Sequence, residues 1–132
     1  VELKEKKDRV EDAIYATKAA LKEGIVPGGG IALLNASQYI TPDNVGEKIL
    51  LRAIRAPFET ILSNAGLEQI GKRPEKGLGV NVVTGESVDM VKSGIIDPVL
   101  VTKCALKNAV SVVNTIISAD CVISNMRTNE GS

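Results

Sequence analysis

The 132 residues are 44% hydrophobic and 24% charged, with 16 basic and 16 acidic side chains and so no net charge. That length fits one domain or part of one, and a chain with no basic excess and no long run of like charge lacks the electrostatic footprint of a nucleic-acid binder. Histidine is absent and the aromatic residues are one Phe and two Tyr, which removes imidazole acid-base chemistry, Ser-His and Cys-His nucleophiles, histidine metal sites and base-stacking platforms together.

Leu3, Val10, Ile14 and Leu21 recur at helical spacing, with Thr17 the polar member of the stripe, and Glu2/Lys6 and Glu5/Arg9 are i,i+4 pairs in the favoured order. The spacing predicts an amphipathic helix ending near Gly24. Ile25-Val26-Pro27 then leads into Gly28-Gly29-Gly30, and Ile31-Ala32-Leu33-Leu34 opens a second helix. Thr41-Pro42-Asp43-Asn44 is a turn and N-cap cluster. Beyond it, Val45, Ile49, Ala53, Ile54, Phe58, Ile61 and Leu62 follow one helix face toward Gly66, which Pro57 should kink or split. Leu67 to Gly79 reads as a surface connection.

Val80-Asn81-Val82-Val83 and Ser87-Val88-Asp89-Met90 flank Thr84-Gly85-Glu86 as a short hairpin would, although the second half suits a helical turn equally. Ile95-Ile96-Asp97-Pro98 reads as an apolar lead-in, an N-cap and a proline at the first helical position. Leu100, Cys104, Ala105, Ala109, Val112, Val113, Ile116 and Ile117 carry the apolar face of the helix that follows, to about Ser118. Cys121-Val122-Ile123 is a terminal-strand candidate whose apolar edge needs a covering partner, and Asn125 to Ser132 is a polar, mobile tail.

Cys104 and Cys121 stand far apart with no companion Cys or His, against a zinc site or a disulfide framework and in keeping with a reducing compartment. Uninterrupted apolar runs such as Ile31 to Leu34 are too short to span a membrane, and no signal-like segment opens the chain. The chain starts at Val1, without Met and already inside a charged helical pattern, and reads as a piece of something longer.

Several residues carry both a plain and a functional reading. The glycine triplet before a helix suits the close approach of an anion or a ribose, or is simply a tight interhelix turn; it matches neither a Walker nor a Rossmann fingerprint. Asp12 points away from the apolar stripe and, with Asp8 one turn earlier, either forms a solvated face or holds a cation or a water. Asp97 is an N-cap or a ligand for ribose hydroxyls. Asn81 is a turn residue or a partner for the edge of an adenine. Ile95 and Val82 belong to the core or sandwich a base.

In order along the chain, these residues resemble the group I chaperonins, the GroEL family. The resemblance is carried by Val1-Glu-Leu-Lys-Glu-Lys-Lys-Asp-Arg-Val-Glu-Asp-Ala13, Ala16-Thr17-Lys18-Ala19-Ala20, Glu23-Gly-Ile-Val-Pro-Gly-Gly-Gly30, Gly94-Ile-Ile-Asp-Pro98 and Thr102-Lys103-Cys104-Ala105-Leu106. It runs from Val1 to about Val122 and covers the C-terminal quarter or so of such a subunit. The fold it implies is mainly α, the C-terminal part of the equatorial helical bundle, with a short β-hairpin and a terminal strand. It divides the chain into 1–22, the C-terminal helix of the intermediate domain; 23–124, equatorial domain with Glu23-Gly24 as the hinge; and 125–132, the tail.

The resemblance further implies an ATP-hydrolysing chaperone that encloses and refolds non-native proteins, with this piece alone inactive because the phosphate loop, the Mg-binding Asp and the apical domain precede Val1 in the family. Asp12 matches the carboxylate that activates the attacking water. Gly29 matches the glycine at the ribose, Asp97 the carboxylate on the ribose hydroxyls, Asn81, Val82 and Val83 the segment on the adenine, and Ile95 a residue packed on the base. Where the family has a bulky residue before that Asn and two alanines after it, this chain has Val80, Val82 and Val83. ATP or ADP, with Mg and K ions, are the implied cofactors. The implied partners are two stacked seven-subunit rings, a co-chaperonin lid and unfolded proteins, with no nucleic acid and no membrane. The implied setting is bacterial cytoplasm, with mitochondrial matrix or plastid stroma as alternatives. A different class of function, a helical assembly module on the same scaffold without nucleotide, is permitted by Val82-Val83.

Overall fold

The computed structural model describes residues 2–67, 74, 75, 77–121 and 123. Val122, the 125–132 tail and much of the connection after Leu67 lie outside the described residues.

Helix α1 runs Glu2–Glu23 and carries the expected ion pairs, Lys6 with Glu2 at 3.6 Å and Arg9 with Glu5 at 2.8 Å, together with Lys7 and Glu11 at 3.6 Å. Thr17 turns its hydroxyl back onto the Ala13 carbonyl at 2.7 Å, so the polar member of the stripe is satisfied within the helix. Gly24 stops the helix in the left-handed region, φ +85, as a glycine C-terminus does.

Strand β1, Ile25–Pro27, pairs antiparallel with β4, Ile96–Pro98, in the register Val26 opposite Asp97. Asp97 is therefore a strand residue and not the expected N-cap. The long helix α5, Val99–Ile117, begins instead behind Pro98, which is its N-cap with no side-chain cap bond. The Asp-Pro signal lost to β-branched partners on both strands, whose prolines sit at strand ends where a missing N–H costs little.

The glycine triplet turns the chain into α2, Ile31–Ala36, followed by a 3-10 turn at Ser37–Tyr39. Asn44 caps α3, Val45–Ala53, by accepting from the Glu47 N–H at 2.9 Å, and the Glu47 carboxylate returns to the Asp43 N–H at 2.7 Å. The chain breaks at Ile54-Arg55 and resumes as α4, Ala56–Asn64, with Pro57 in its first turn, the split that the proline predicts.

The hairpin pairs β2, Gly79–Asn81, with β3, Glu86–Val88, and is shorter than its apolar run suggests. Val82 and Val83 belong to the turn, not to a strand. Asn81 causes this: its side-chain oxygen accepts from the Val83 N–H at 3.0 Å, and its carbonyl accepts from Gly85 at 2.7 Å. Beyond β3 the chain coils through a compact turn in which Asp89 accepts from the Lys92 N–H at 3.1 Å, a bond that lowers the Asp89 carboxyl below its ordinary value.

The core is Ile31, Leu34, Phe58, Leu62, Val80 and Met90, with Leu67, Val88 and Ile95 packed against it. Neither α1 nor α5 has a buried residue, and α5 leaves Val112, Val113, Ile116 and Ile117 at least half exposed. With 19 residues and a mean hydropathy of 1.2, α5 is long and apolar enough by composition to cross a membrane; counting only uninterrupted apolar runs overlooks it, because Lys103 and Lys107 divide them. Cys121 and Ile123, the described residues of the terminal-strand candidate, are not in a strand.

Two bonds join α1 to α5 across Gly24. Val99 donates its N–H to the Gly24 carbonyl at 3.1 Å, and Lys103 reaches the Glu23 carboxylate at 2.7 Å. The hydrogen bond from Lys103 to Glu23, and then the attraction of the carboxylate, raise the Lys103 pKa above its ordinary value. A raised lysine pKa makes this link fully present below the ordinary lysine range and lost only as pH climbs through the raised value. The protection of amides at the last turn of α1, taken relative to their base-catalysed intrinsic exchange, should therefore be flat from neutral to mildly alkaline pH and fall only in strong alkali, while Lys103→Ala should lower it at neutral pH without moving the core amides. Equal exchange in the variant would show that the backbone bond alone holds the joint.

Candidate functional site

The site grows from the turn between β1 and α2. Gly28 donates its N–H to the Ile95 carbonyl at 2.9 Å, which extends the β1–β4 pairing by one step and sets the glycine triplet beside Ile95 and Asp97. Gly29 has φ +67, and a Cβ there would lie 2.9 Å from Met90 Cε; Gly30 has φ +77, and a Cβ there would lie 2.7 Å from Phe58 N. The turn thus needs glycine for its dihedrals and for its neighbours. Helix α2 has only six residues, so its dipole is slight, and what the triplet offers a ligand is bare backbone.

Asp97 lies opposite Val26 in the two-stranded pairing. Burial pushes its carboxyl above the ordinary carboxylate value, because the charged form loses part of its hydration there. Asp97 nevertheless remains exposed, so its carboxylate is open to hydroxyl donors. Ile95 is half-buried and fixed at both backbone ends, its N–H on the Met90 carbonyl at 2.8 Å and its carbonyl on Gly28. Asn81 ends β2 with its side-chain oxygen already engaged by Val83, so its NH2 group is the part left to meet a ligand. Val82 is 39% and Val83 90% exposed, apolar surface at the tip of the same hairpin.

Gly29, Ile95 and Asp97 are brought together by pairing, and the hairpin joins them through Met90, which reaches both Gly29 and Gly79. Asp12 is not brought to them. It sits on the exposed face of α1, about 17 Å along the axis from Glu23, and among the described residues no ion pair includes Asp8 or Asp12. Among the described residues no three His, Cys, Asp or Glu side chains gather as a metal site would need.

The sequence model of the TCP-1/cpn60 chaperonin family matches residues 1–127. The chain belongs to this family. A crystal structure of a group III chaperonin in the open state is similar to it, with a TM-score of 0.65 and 28% identity over 80% of this chain and 25% of that one. The chain therefore spans about a quarter of the length of that chaperonin. The helix-rich fold with its two small sheets matches a chaperonin equatorial-domain fragment.

Reading the chaperonin chain as sequence misses three features of the site. The β1–β4 pairing joins two three-residue strands far apart in the chain, and its one local sign is that each strand opens on an isoleucine and ends on a proline. The Glu23–Lys103 link has no local sign at all. Met90 reads as one more apolar residue of a hairpin flank, although it is 2% exposed and central to the core.

Proposed function

We propose that this chain is the part of a group I chaperonin subunit that receives the base and ribose of ATP and carries the carboxylate that activates the attacking water. The pairing of Gly28-Gly29-Gly30 with the Ile95–Asp97 segment is the observation that supports it most, since it gathers residues matching the family's ribose and base contacts around one turn. In this reading Asp97 accepts hydrogen bonds from the ribose hydroxyls and Gly29 presents bare backbone to the sugar. Asn81 donates through its NH2 group to a ring nitrogen of the adenine, and Ile95, Val82 and Val83 lie against the base. Asp12 accepts a hydrogen bond from the water that attacks the terminal phosphate and takes up its proton as the water oxygen bonds to phosphorus and the bond from phosphorus to the bridging oxygen breaks, with ADP as the leaving group. The Mg and K ions that accompany ATP take their ligands mostly from elsewhere in the subunit.

The rest of the reading follows the family. Residues 1–22 belong to the intermediate domain, 23–124 to the equatorial domain and 125–132 to a tail, with the hinge at Glu23-Gly24. The exposed apolar face of α5 packs against the remainder of the equatorial domain rather than lipid, which accounts for its hydropathy. The segment around Cys121 pairs with a neighbouring subunit in two stacked seven-subunit rings, which bind unfolded proteins and a co-chaperonin lid. The free, exposed thiols of Cys104 and Cys121 suit a reducing compartment, bacterial cytoplasm first, with mitochondrial matrix and plastid stroma as alternatives.

Calorimetry with ADP on the full-length protein tests the assignment of the site. Asp97→Ala should weaken binding by about 1.5–3 kcal/mol, roughly 10- to 150-fold, the value of hydrogen bonds to a charged group. Its rate at saturating ATP should change less. Unaltered affinity would remove Asp97 from the ribose, and an unmodified protein that bound no ADP would leave the helical-scaffold reading in place.

A further inference from the structure

We infer that Met90 is a positioning residue that sets the separation between the glycine turn, the hairpin and Ile95, and through it the fit of the nucleotide; this rests on the nucleotide reading above. The side chain is 2% exposed and lies between two backbones that carry no side chain. Its Cε is 2.9 Å from where a Gly29 Cβ would stand, and its Sδ is 2.6 Å from the same position at Gly79. Its own carbonyl accepts the Ile95 N–H at 2.8 Å, and the Ile95 carbonyl accepts from Gly28 at 2.9 Å. One residue thus meets all three strips of chain that present Gly29, Asn81 and Ile95 to the ligand.

The choice of residue follows from this geometry. Two glycines facing the outer part of the side chain leave room for its Cγ, Sδ and Cε where a Cβ on either would collide, and methionine fills such gaps with a polarizable tip. Without that spacer the turn and the hairpin lose the atoms that hold them apart, since close-packed interiors transmit a change of volume to their neighbours. Met90 touches no ligand in this arrangement. Its effect is on where Gly29 stands relative to Asn81, and it has no route to Asp12, which lies on another element.

The test compares four proteins, all full length: unmodified, Met90→Ala, Met90→Leu and Leu62→Ala. Leu62 is 4% exposed in the same core but stands on α4, so its truncation costs stability without touching the spacer. ADP affinity is measured by calorimetry at a temperature where circular dichroism shows each variant folded, and kcat is measured at saturating ATP. Met90→Ala should bind ADP on the order of 10- to 100-fold more weakly, the scale of a misplacement of about 1 Å. Leu62→Ala should stay within a few-fold of the unmodified protein, Met90→Leu should recover most of the loss because it restores the volume, and kcat should hold in all. Should Met90→Ala not fold, Met90→Cys, which is unbranched and lacks the Sδ that meets Gly79 and the Cε that meets Gly29, takes its place. A Met90 truncation that weakens ADP no more than Leu62→Ala overturns the inference while leaving the nucleotide reading intact. An unmodified protein that binds no ADP overturns both.

Discussion

Asp12→Ala in the full-length chaperonin is expected to hold ATP as tightly as the unmodified protein and to hydrolyse it on the order of 10²–10⁴ times more slowly, the usual cost of losing a group that transfers a proton in the transition state. Binding persists because the proposed ribose and base contacts come from the β1–β4 pair and the hairpin, on elements that α1 does not supply. Misfolding cannot imitate this result. Asp12 is exposed in the middle of α1, bears no ion pair among the described residues, and alanine is the better helix former by roughly half a kcal/mol. A single-turnover measurement at saturating ATP separates the outcomes, and an unchanged rate would return Asp12 to an ordinary solvated helix face.

Gly30→Ala is expected to be strongly destabilising. The dihedral alone, φ +77, costs about 1–2 kcal/mol for a residue with a side chain. The new Cβ would also stand 2.7 Å from the backbone nitrogen of Phe58 and 2.8 Å from its Cα, and backbone in a helix cannot rotate aside as a side chain does. Helix α4 must then shift, and with it Phe58 and Leu62 of the core, an overpacking cost of about 1–3 kcal/mol. The sum, about 2–5 kcal/mol, should appear as an earlier urea midpoint. Gly66→Ala is the matched control: its φ is +69 and nothing lies within 4 Å of the added methyl, so only the dihedral cost applies. Equal midpoints for the two variants would mean that the approach of α4 to the turn is slack.

What could be read in advance was what local chemistry decides. Charge spacing and a terminal glycine delimit α1, Pro57 divides α3 from α4, and Asn44 caps because its side chain reaches a backbone three residues on. Asp97 shows where such reading stops. An Asp before a Pro is a good helix cap, yet a three-residue pairing with Val26, invisible along the chain, takes the residue into a strand. Val82 and Val83 fail similarly, since their strand propensity yields to the side chain of Asn81 closing the turn ahead of them. The site was legible in part: a glycine triplet and a few carboxylates are weak signs singly, and their order along the chain, rather than any one of them, pointed to the chaperonins. Met90 was illegible because its importance lies in the two glycines it separates, and neither is near it in sequence.

The joint at Gly24 has a mechanical side. A 22-residue helix is a rod about 33 Å long, fixed at one end to a residue with φ +85 and nothing within 4 Å of the place a Cβ would occupy. The hinge proposed at Glu23-Gly24 would make such a rod an arm on a pivot. A turn of about 10° at Gly24 carries the far end by about 6 Å and Asp12, near mid-length, by about 3 Å, the width of a hydrogen bond. The residues between Asp12 and Gly24 would then act as gearing: they would fix how far the carboxylate travels for a given rotation, and the bond between Lys103 and Glu23, placed beside the fulcrum, would have little leverage against that swing.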